Sequence, residues 1–225
     1  IFALSDSGEH LGKWRVIGVE ASDWEAMDSF ELDNQHYLLI ADTGDNLRSR
    51  KEVSFLVLKE PLLSEVDEEI SPSWQVKFQF PDGPKDVEAA AVDLKGKRAV
   101  FLNKRELPLR LYAVPLFPTE DNIVAEKIAQ LVPVPRYRSD LVSLYGRTTR
   151  YLGLPTGMDL SGNKLLITTY HNAYLYDYRA LQKPPEEISL PLSGQREAIT
   201  FSFQSDRIAY VSHERQGGTQ VADIF

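Results

Sequence analysis

The sequence of 225 residues contains no cysteine, which excludes a disulfide, a thiolate zinc site and a cysteine nucleophile. It also has no apolar run near the roughly 18 residues that a membrane-spanning helix needs, so we predict no membrane span. Basic residues are the minority, with 25 Lys and Arg against 33 Asp and Glu and a formal net charge of −8. This balance argues against binding to nucleic acid, and it suits a cation or a cationic ligand.

Helical periodicity is scarce too. β-Branched and aromatic residues are spread evenly along the chain, and Gly or Pro turns interrupt them at short intervals. This pattern is typical of short strands joined by turns. The sequence therefore predicts an all-β protein.

A unit of about four strands recurs along the chain. Its first strand begins EAM, EAA, TGM and EAI in successive copies, at Glu25, Glu88, Thr156 and Glu197. A small residue follows each of these positions, as suits inner strands that crowd around a narrow axis. Repeats of this size are typical of β-propeller blades.

We therefore predict a β-propeller with antiparallel four-stranded blades. Five blades are favoured, six are the alternative, and a β-sandwich explains the repeated Glu-Ala less well. Residues 1–225 are expected to form one domain, with an inserted Arg- and Tyr-rich loop at 133–153. Residues 62–73 are expected to be a loop, and residues 123–132 the fourth strand of their blade.

In a propeller, the loops that precede the inner strands and follow the second strands lie on one face. The fold hypothesis therefore gathers polar side chains from distant parts of the chain around the central axis. The predicted ligand-binding residues are Asp6, Asp23, Asp42, Asn103, Lys104 and Arg196.

Carboxylates that converge on one axis repel one another unless they bind a cation or pair with bases. Ca²⁺ is the natural candidate because it prefers carboxylate, amide and carbonyl oxygens. The predicted metal ligands are Glu25, Asp45, Asn46, Glu88 and Glu197. Two alternatives remain open. The Glu residues could pair with Lys104 and Arg196, and Asp42, Asp45 and Asn46 could simply form turns.

Two histidines, His171 and His213, end equivalent strands. Either is a candidate general base if its pKa is suitable. The alternative is that both are ordinary solvated loop side chains.

The motifs SDSG, DWE and ADTGDN occur in this order and resemble an uncharacterised group of mostly exported bacterial β-propeller proteins with NDSG, DWE and GDxGDN elements. Ser5 stands where that group has Asn, and Ala41 where it has Gly. Thr156 replaces the Glu of the other repeats, which removes one possible metal ligand. More distantly, the chain resembles the calcium-dependent propeller hydrolases, namely gluconolactonases, paraoxonases and propeller phytases, and that resemblance implies a central metal site.

The resemblance implies a periplasmic or secreted protein. We expect it to bind a small molecule or a protein partner at an acidic central site, with a structural Ca²⁺, and to be a monomer. A metal-dependent hydrolase of a lactone or phosphoester is the first alternative, with Ca²⁺ as Lewis acid and His171 or His213 as base. An ion-free interaction scaffold is the second.

Overall fold

The computed structural model describes residues 1–5, 7–132, 153–191 and 195–214, and these residues form an all-β protein. A single 3-10 turn, Leu63–Glu65, is the one helical element in the described ranges. The strands are β1 (Phe2–Leu4), β2 (His10–Lys13), β3 (Arg15–Val16), β4 (Trp24–Leu32), β5 (Gln35–Asp42), β6 (Val53–Lys59), β7 (Glu69–Ile70), β8 (Trp74–Gln79), β9 (Val87–Asp93), β10 (Arg98–Asn103), β11 (Arg110–Pro115), β12 (Ile123–Val124), β13 (Glu126–Gln130), β14 (Pro155–Ser161), β15 (Lys164–Thr169), β16 (Asn172–Asp177), β17 (Glu186–Ser189), β18 (Gln195–Ser202) and β19 (Ser205–Glu214).

Three antiparallel sheets share one up-and-down order. The first contains β4, β5, β6 and β8, the second β9, β10, β11 and β13, and the third β14, β15, β16 and β17. A hairpin of β18 and β19 follows, and the N-terminal region adds the hairpin β1–β2 and the parallel pair β3–β7. The all-β prediction and the predicted inner strands are confirmed. The number of blades and the closure of a ring stay predictions.

Tight turns set the register of the inner hairpins. Asp33 and Asn34 both have positive φ, at 53° and 61°, as a two-residue turn between twisted strands requires. Gly162 has a φ of 59° at the corresponding turn of the third sheet. Leu32 consequently pairs with Gln35, and Ser161 pairs with Lys164.

The sheets pack face to face through apolar side chains. Phe55 and Phe78 of the first sheet meet Phe101 of the second, with ring centroids 6.0 and 4.9 Å from that of Phe101. Further clusters join the second sheet to the third and the third sheet to the β18–β19 hairpin. Burying aromatic side chains of this size stabilises each junction by about 2 kcal/mol per side chain.

The first strands of the successive sheets lie next to one another. β4 packs beside β9, β9 beside β14, and β14 beside β18. A Cβ at Gly157 would lie 3.1 Å from the Cα of Ala198, so only glycine lets β14 and β18 approach this closely. The small residues of the repeat therefore allow the inner strands to pack as closely as predicted.

Two predicted elements were wrong in detail. Residues 123–132 are two strands, because β12 pairs in parallel with β8 of the first sheet and only β13 completes the second. Residues 62–73 contain the 3-10 turn and β7, which pairs with β3. The loop predicted at 133–153 lies outside the described residues except for Gly153, which is buried.

Across the described ranges, no helix has the length and apolar character that crossing a bilayer would require.

Candidate functional site

The repeated Glu, Glu, Thr and Glu are all bulged residues of their strands. Trp24 pairs with Asp42 and Ala26 with the preceding Ala41, so Glu25 is an extra residue in the register. Equivalent register shifts occur at Glu88, Thr156 and Glu197. A β-bulge bends its strand and re-aims the extra side chain, and bulges are common next to active sites. We call these four positions the bulge residues.

The loop after β5 holds the start of β4 in place through hydrogen bonds. The carboxylate of Asp42 accepts hydrogen bonds from the backbone N–H groups of Ser22 and Asp23, both at 3.0 Å. It also pairs with Arg50 at 2.8 Å, and its side chain is 3% exposed. Asp42 therefore holds the chain that leads into Glu25.

Gly44 lets the same loop lie directly against two acidic side chains. A Cβ at this position would stand 2.4 Å from Oδ2 of Asp23 and 2.8 Å from Cγ of Glu25. The Gly44 N–H also donates to the carbonyl oxygen of Asp23 at 3.2 Å. The DWE and DTGDN motifs are thus two sides of one contact that positions Glu25.

Asp45 and Asn46 belong to an ionic loop network that Arg50 links to Asp42. Asp45 accepts hydrogen bonds from the N–H groups of Ser49 at 2.9 Å and Arg50 at 2.7 Å. Its own N–H donates to Asp86 at 3.0 Å. Arg105 donates to both Asp86 and Asn46. This geometry matches the turn-forming role rather than a shared metal site.

A buried ion pair joins the residue after β10 to the bulge residue of β9. Lys104 donates to Glu88 and, at 2.9 Å, to the hydroxyl of Tyr170. Its Nζ lies 5.2 Å from the centroid of the Tyr170 ring, within the range of a cation–π interaction. Burial lowers the pKa of Lys104, but the charge and hydrogen bond of Glu88 together with the interactions of Tyr170 outweigh it, and the pKa is raised. Lys104 is therefore held as a cation.

Glu25 lies beside that pair with an excess of negative charge around it. Burial raises the pKa of Glu25 to about 8, with further contributions from the charges of Glu88 and Asp23. The charge of Lys104 lowers this pKa only in part. Glu25 is thus mostly a neutral acid at pH 7, poised to ionise when a positive charge arrives.

Two further carboxyl groups face each other lower on the inner strands. Asp28 accepts the N–H of Val92 at 2.7 Å, and Asp159 accepts the N–H of Phe201 at 2.6 Å. Each therefore reaches across to the next inner strand. Burial, followed by the charge of Asp159, raises the pKa of Asp28 to about 8.

A cavity of about 620 Å³ lies between β4, β14 and the β18–β19 hairpin. Its polar lining includes Asp28 and three of the four bulge residues. Its apolar lining includes Trp24, Met27, Leu38, Ile40, Met158 and Ile199. A mostly apolar cavity with a few convergent polar groups is the usual form of a small-molecule site.

Two buried polar atoms on the inner strands lack a hydrogen-bond partner within the described part of the chain. They are Nε1 of Trp24, which lines the cavity, and Oγ1 of Thr156, the fourth bulge residue. Thr156 is only 1% exposed. A buried unsatisfied polar group costs about 1–3 kcal/mol, and because both atoms are buried, neither is open to a ligand in the cavity.

The other predicted site residues fall into three groups. Arg196 donates to the carbonyl oxygens of Tyr170, His171 and Pro191, so it ties loops together. Asn103 is also bonded to backbone, donating to the carbonyl oxygen of Glu106 and accepting the N–H of Arg110. His171 is half-buried. Asp6 and the side chain of His213 lie outside the described residues.

The predicted calcium ligands separate in the structure. Glu25, Glu88 and Glu197 line the cavity, whereas Asp45 and Asn46 serve the loop network. In the ranges that the structure describes, no three His, Asp or Glu side chains are grouped so as to hold a metal ion. The described side chains do not fit Ca²⁺ as one shell, and calcium binding itself stays a prediction.

Sequence reasoning missed Tyr170, Asp28 and Asp159. One signal was available, because Asp28 and Asp159 both stand three positions after a bulge residue, in EAMD and TGMD. Tyr170 gave no comparable signal, since its role depends on Lys104 reaching it from another sheet.

No protein-family model matches the chain, and no curated protein sequence is detectably similar to it. Solved structures give distant similarities to β-propellers. The periplasmic gluconolactonase of Pseudomonas aeruginosa matches with 12% identity and a TM-score of 0.46, over 89% of this chain and 56% of that one. The WD40 β-propeller domain of Doa1 matches with 10% identity and a TM-score of 0.42, over 84% and 48%.

The glutaminyl cyclase of Myxococcus xanthus is similar at 12% identity and a TM-score of 0.43, over 89% of this chain and 68% of that one. The chain thus spans about half the length of the first two structures. These values describe a general likeness among all-β proteins and do not extend to ligands or reactions.

Proposed function

We propose that the chain binds a small organic cation in its central cavity. The observation that carries this proposal is the lining of that cavity, which combines the carboxyl groups of Glu25 and Glu88 with aliphatic and aromatic side chains. An amine with an apolar body would place its charge against these carboxyl groups and its carbon chain against the walls.

The charges around Glu25 favour a cation. Glu88 and Asp23 both raise the pKa of Glu25, and Lys104 offsets them only in part. Glu25 meets this imbalance by keeping its proton. An ammonium group would let that proton leave and would gain a charge-assisted hydrogen bond.

An organic cation suits this lining better than Ca²⁺ does. Calcium prefers about six to eight oxygen ligands, and apolar side chains supply none. The walls formed by Met27, Ile40 and Ile199 instead match an alkyl chain. Calcium binding remains the competing proposal, and one titration series can decide between the two.

The experiment is calorimetric titration of EDTA-treated protein with hexylamine, hexanol and CaCl₂ in turn. It is run at about pH 8.5, where an alkylammonium group keeps its proton. Hexylamine should bind and hexanol should not. Glu25→Gln should weaken hexylamine binding by at least about tenfold, or 1.4 kcal/mol. Glu126→Gln, an exposed position on β13, is the matched control and should bind as the wild type does.

Absence of hexylamine binding would overturn the proposal. So would equal binding by wild type and Glu25→Gln. Binding of Ca²⁺ without amine binding would replace it with the predicted calcium site.

A further inference from the structure

The cavity has a second acidic end. Glu25 and Asp28 line the same cavity from the same strand, three residues apart. At about 3.3 Å per residue, their backbones are separated by roughly 10 Å. Met27, Ile40 and Ile199 line the cavity with them. The lining therefore combines two carboxyl groups at different depths with aliphatic walls.

Among the residues that the structure describes, no cation neutralises the lower end. Asp28 accepts the N–H groups of Ser29 and Val92, both at 2.7 Å. The charged group that faces it is Asp159 of β14, which itself accepts hydrogen bonds from Thr200 and the N–H of Phe201. Within the described residues, neutral donors alone serve this pair of acids. A positive charge beside Asp28 would therefore be favourable.

The bulge residue of β14 adds no group to the upper end. Thr156 is 1% exposed and does not line the cavity, whereas the bulge positions of β4, β9 and β18 each carry a cavity-lining Glu. The upper contact therefore rests on these carboxyl groups.

We propose that the ligand is a linear aliphatic diamine, with one ammonium group among the bulge residues and the other at Asp28. The methylene chain lies along Met27, Ile40 and Ile199. This inference rests on the proposed function and adds the second charge of the ligand and its anchor. A monoamine would use the upper end alone.

The test compares diaminohexane with hexylamine, which differ by the terminal amino group. Diaminohexane should bind the wild type at least about tenfold more tightly than hexylamine does. Asp28→Asn keeps the shape of the side chain, but its single amide oxygen can accept only one of the two N–H groups that the two carboxylate oxygens accept separately. It should reduce that advantage to less than about twofold.

A pH series gives a readout that does not depend on a variant. Ligand binding must displace protons from both Glu25 and Asp28 when the ligand is diaminohexane, and from Glu25 alone when it is hexylamine. Diaminohexane affinity should therefore rise more steeply between about pH 6 and pH 8.

The two proposals fail in different ways. If neither amine binds, the proposed function is wrong. If both bind with equal affinity and equal pH dependence, the cation site stands and the diamine inference is overturned. Unchanged diaminohexane affinity in a folded Asp28→Asn protein, confirmed by its circular dichroism, would also overturn the inference.

Discussion

Two groups of acidic side chains in this protein are used in opposite ways. In the loop network, Asp42, Asp45 and Asp86 each accept backbone N–H groups, and Arg50 and Arg105 neutralise Asp42 and Asp86. Around the central cavity, the carboxyl groups outnumber the cations. The carboxylate group therefore stabilises loops in one region, and it is a source of unbalanced charge a few residues away.

Burial and the unbalanced charge around the cavity raise the pKa of two of its carboxyl groups. The pKa values of Glu25 and Asp28 are each raised to about 8, first by burial and then by neighbouring carboxylates. Groups that keep a proton for lack of a cation are the ones that a cationic ligand can ionise. The comparison teaches that acidic clusters have to be sorted by their partners before a site is inferred.

The largest expected effect comes from neutralising a loop carboxylate. Asp86→Asn weakens the pair with Arg105 and puts an amide where Asp45 donates, at a side chain that is 0% exposed. We expect the free energy of unfolding to fall by about 2–3 kcal/mol in urea denaturation. Asp67→Asn, in the exposed pair with Lys13, is the control and should cost less than about 1 kcal/mol. Equal losses in both variants would contradict the comparison.

Neutralising a cavity carboxyl group should change the free energy of unfolding in the opposite direction at alkaline pH. Because the folded-state pKa values of Glu25 and Asp28 lie above the unfolded ones, the folded state retains protons that the unfolded chain releases. The stability gained from these retained protons is fully present below the unfolded-state pKa, and it is lost as the pH rises through the folded-state pKa.

The melting temperature of the wild type, measured from about pH 5 to pH 9, should therefore fall more steeply than those of Glu25→Gln and Asp28→Asn. The difference between wild type and variant isolates each group from the other titrations. Parallel curves for wild type and variants would show that neither carboxyl group retains its proton.

The smallest effect is expected at the bulge residue that is not acidic. Thr156→Val removes a buried hydroxyl that has no partner in the described ranges and replaces it with a group of the same shape. We expect the free protein to be as stable as the wild type or more stable by up to about 1 kcal/mol. Amine binding, measured by the same titrations, should be unchanged in the same variant, because Thr156 does not line the cavity. A loss of stability would show that the Thr156 hydroxyl has a structural role in the folded protein.

Much of the architecture was predictable from the sequence. The inner strands at Glu25, Glu88, Thr156 and Glu197 follow from a repeated pattern, and the polar turns at Asp33 and Gly162 mark the hairpins that follow. These features are local, so neighbouring residues reveal them. The division of residues 123–132 was not predictable, because β12 pairs with a strand of another sheet.

The site was predictable only as a collection of acidic residues. The repeat identified Glu25 and Glu88, but the bulges that re-aim them depend on cross-strand register, which a single sequence does not display. Likewise, DTGDN was correctly associated with DWE, but the steric reason lies in the space beside Gly44. The cationic partners of these carboxylates, such as Lys104 and Arg105, are distant from them in sequence, so a single sequence does not show which carboxylates are paired.

The small strand β12 has a consequence for how the molecule opens. Its residues leave the second sheet, pair with β8 of the first sheet and then return as β13. The first sheet therefore cannot lose its outer edge without pulling on the second. Amide protons in these two sheets should exchange with solvent as one cooperative unit, and those of the third sheet, which has no such strand in the described ranges, can exchange through separate and less costly openings.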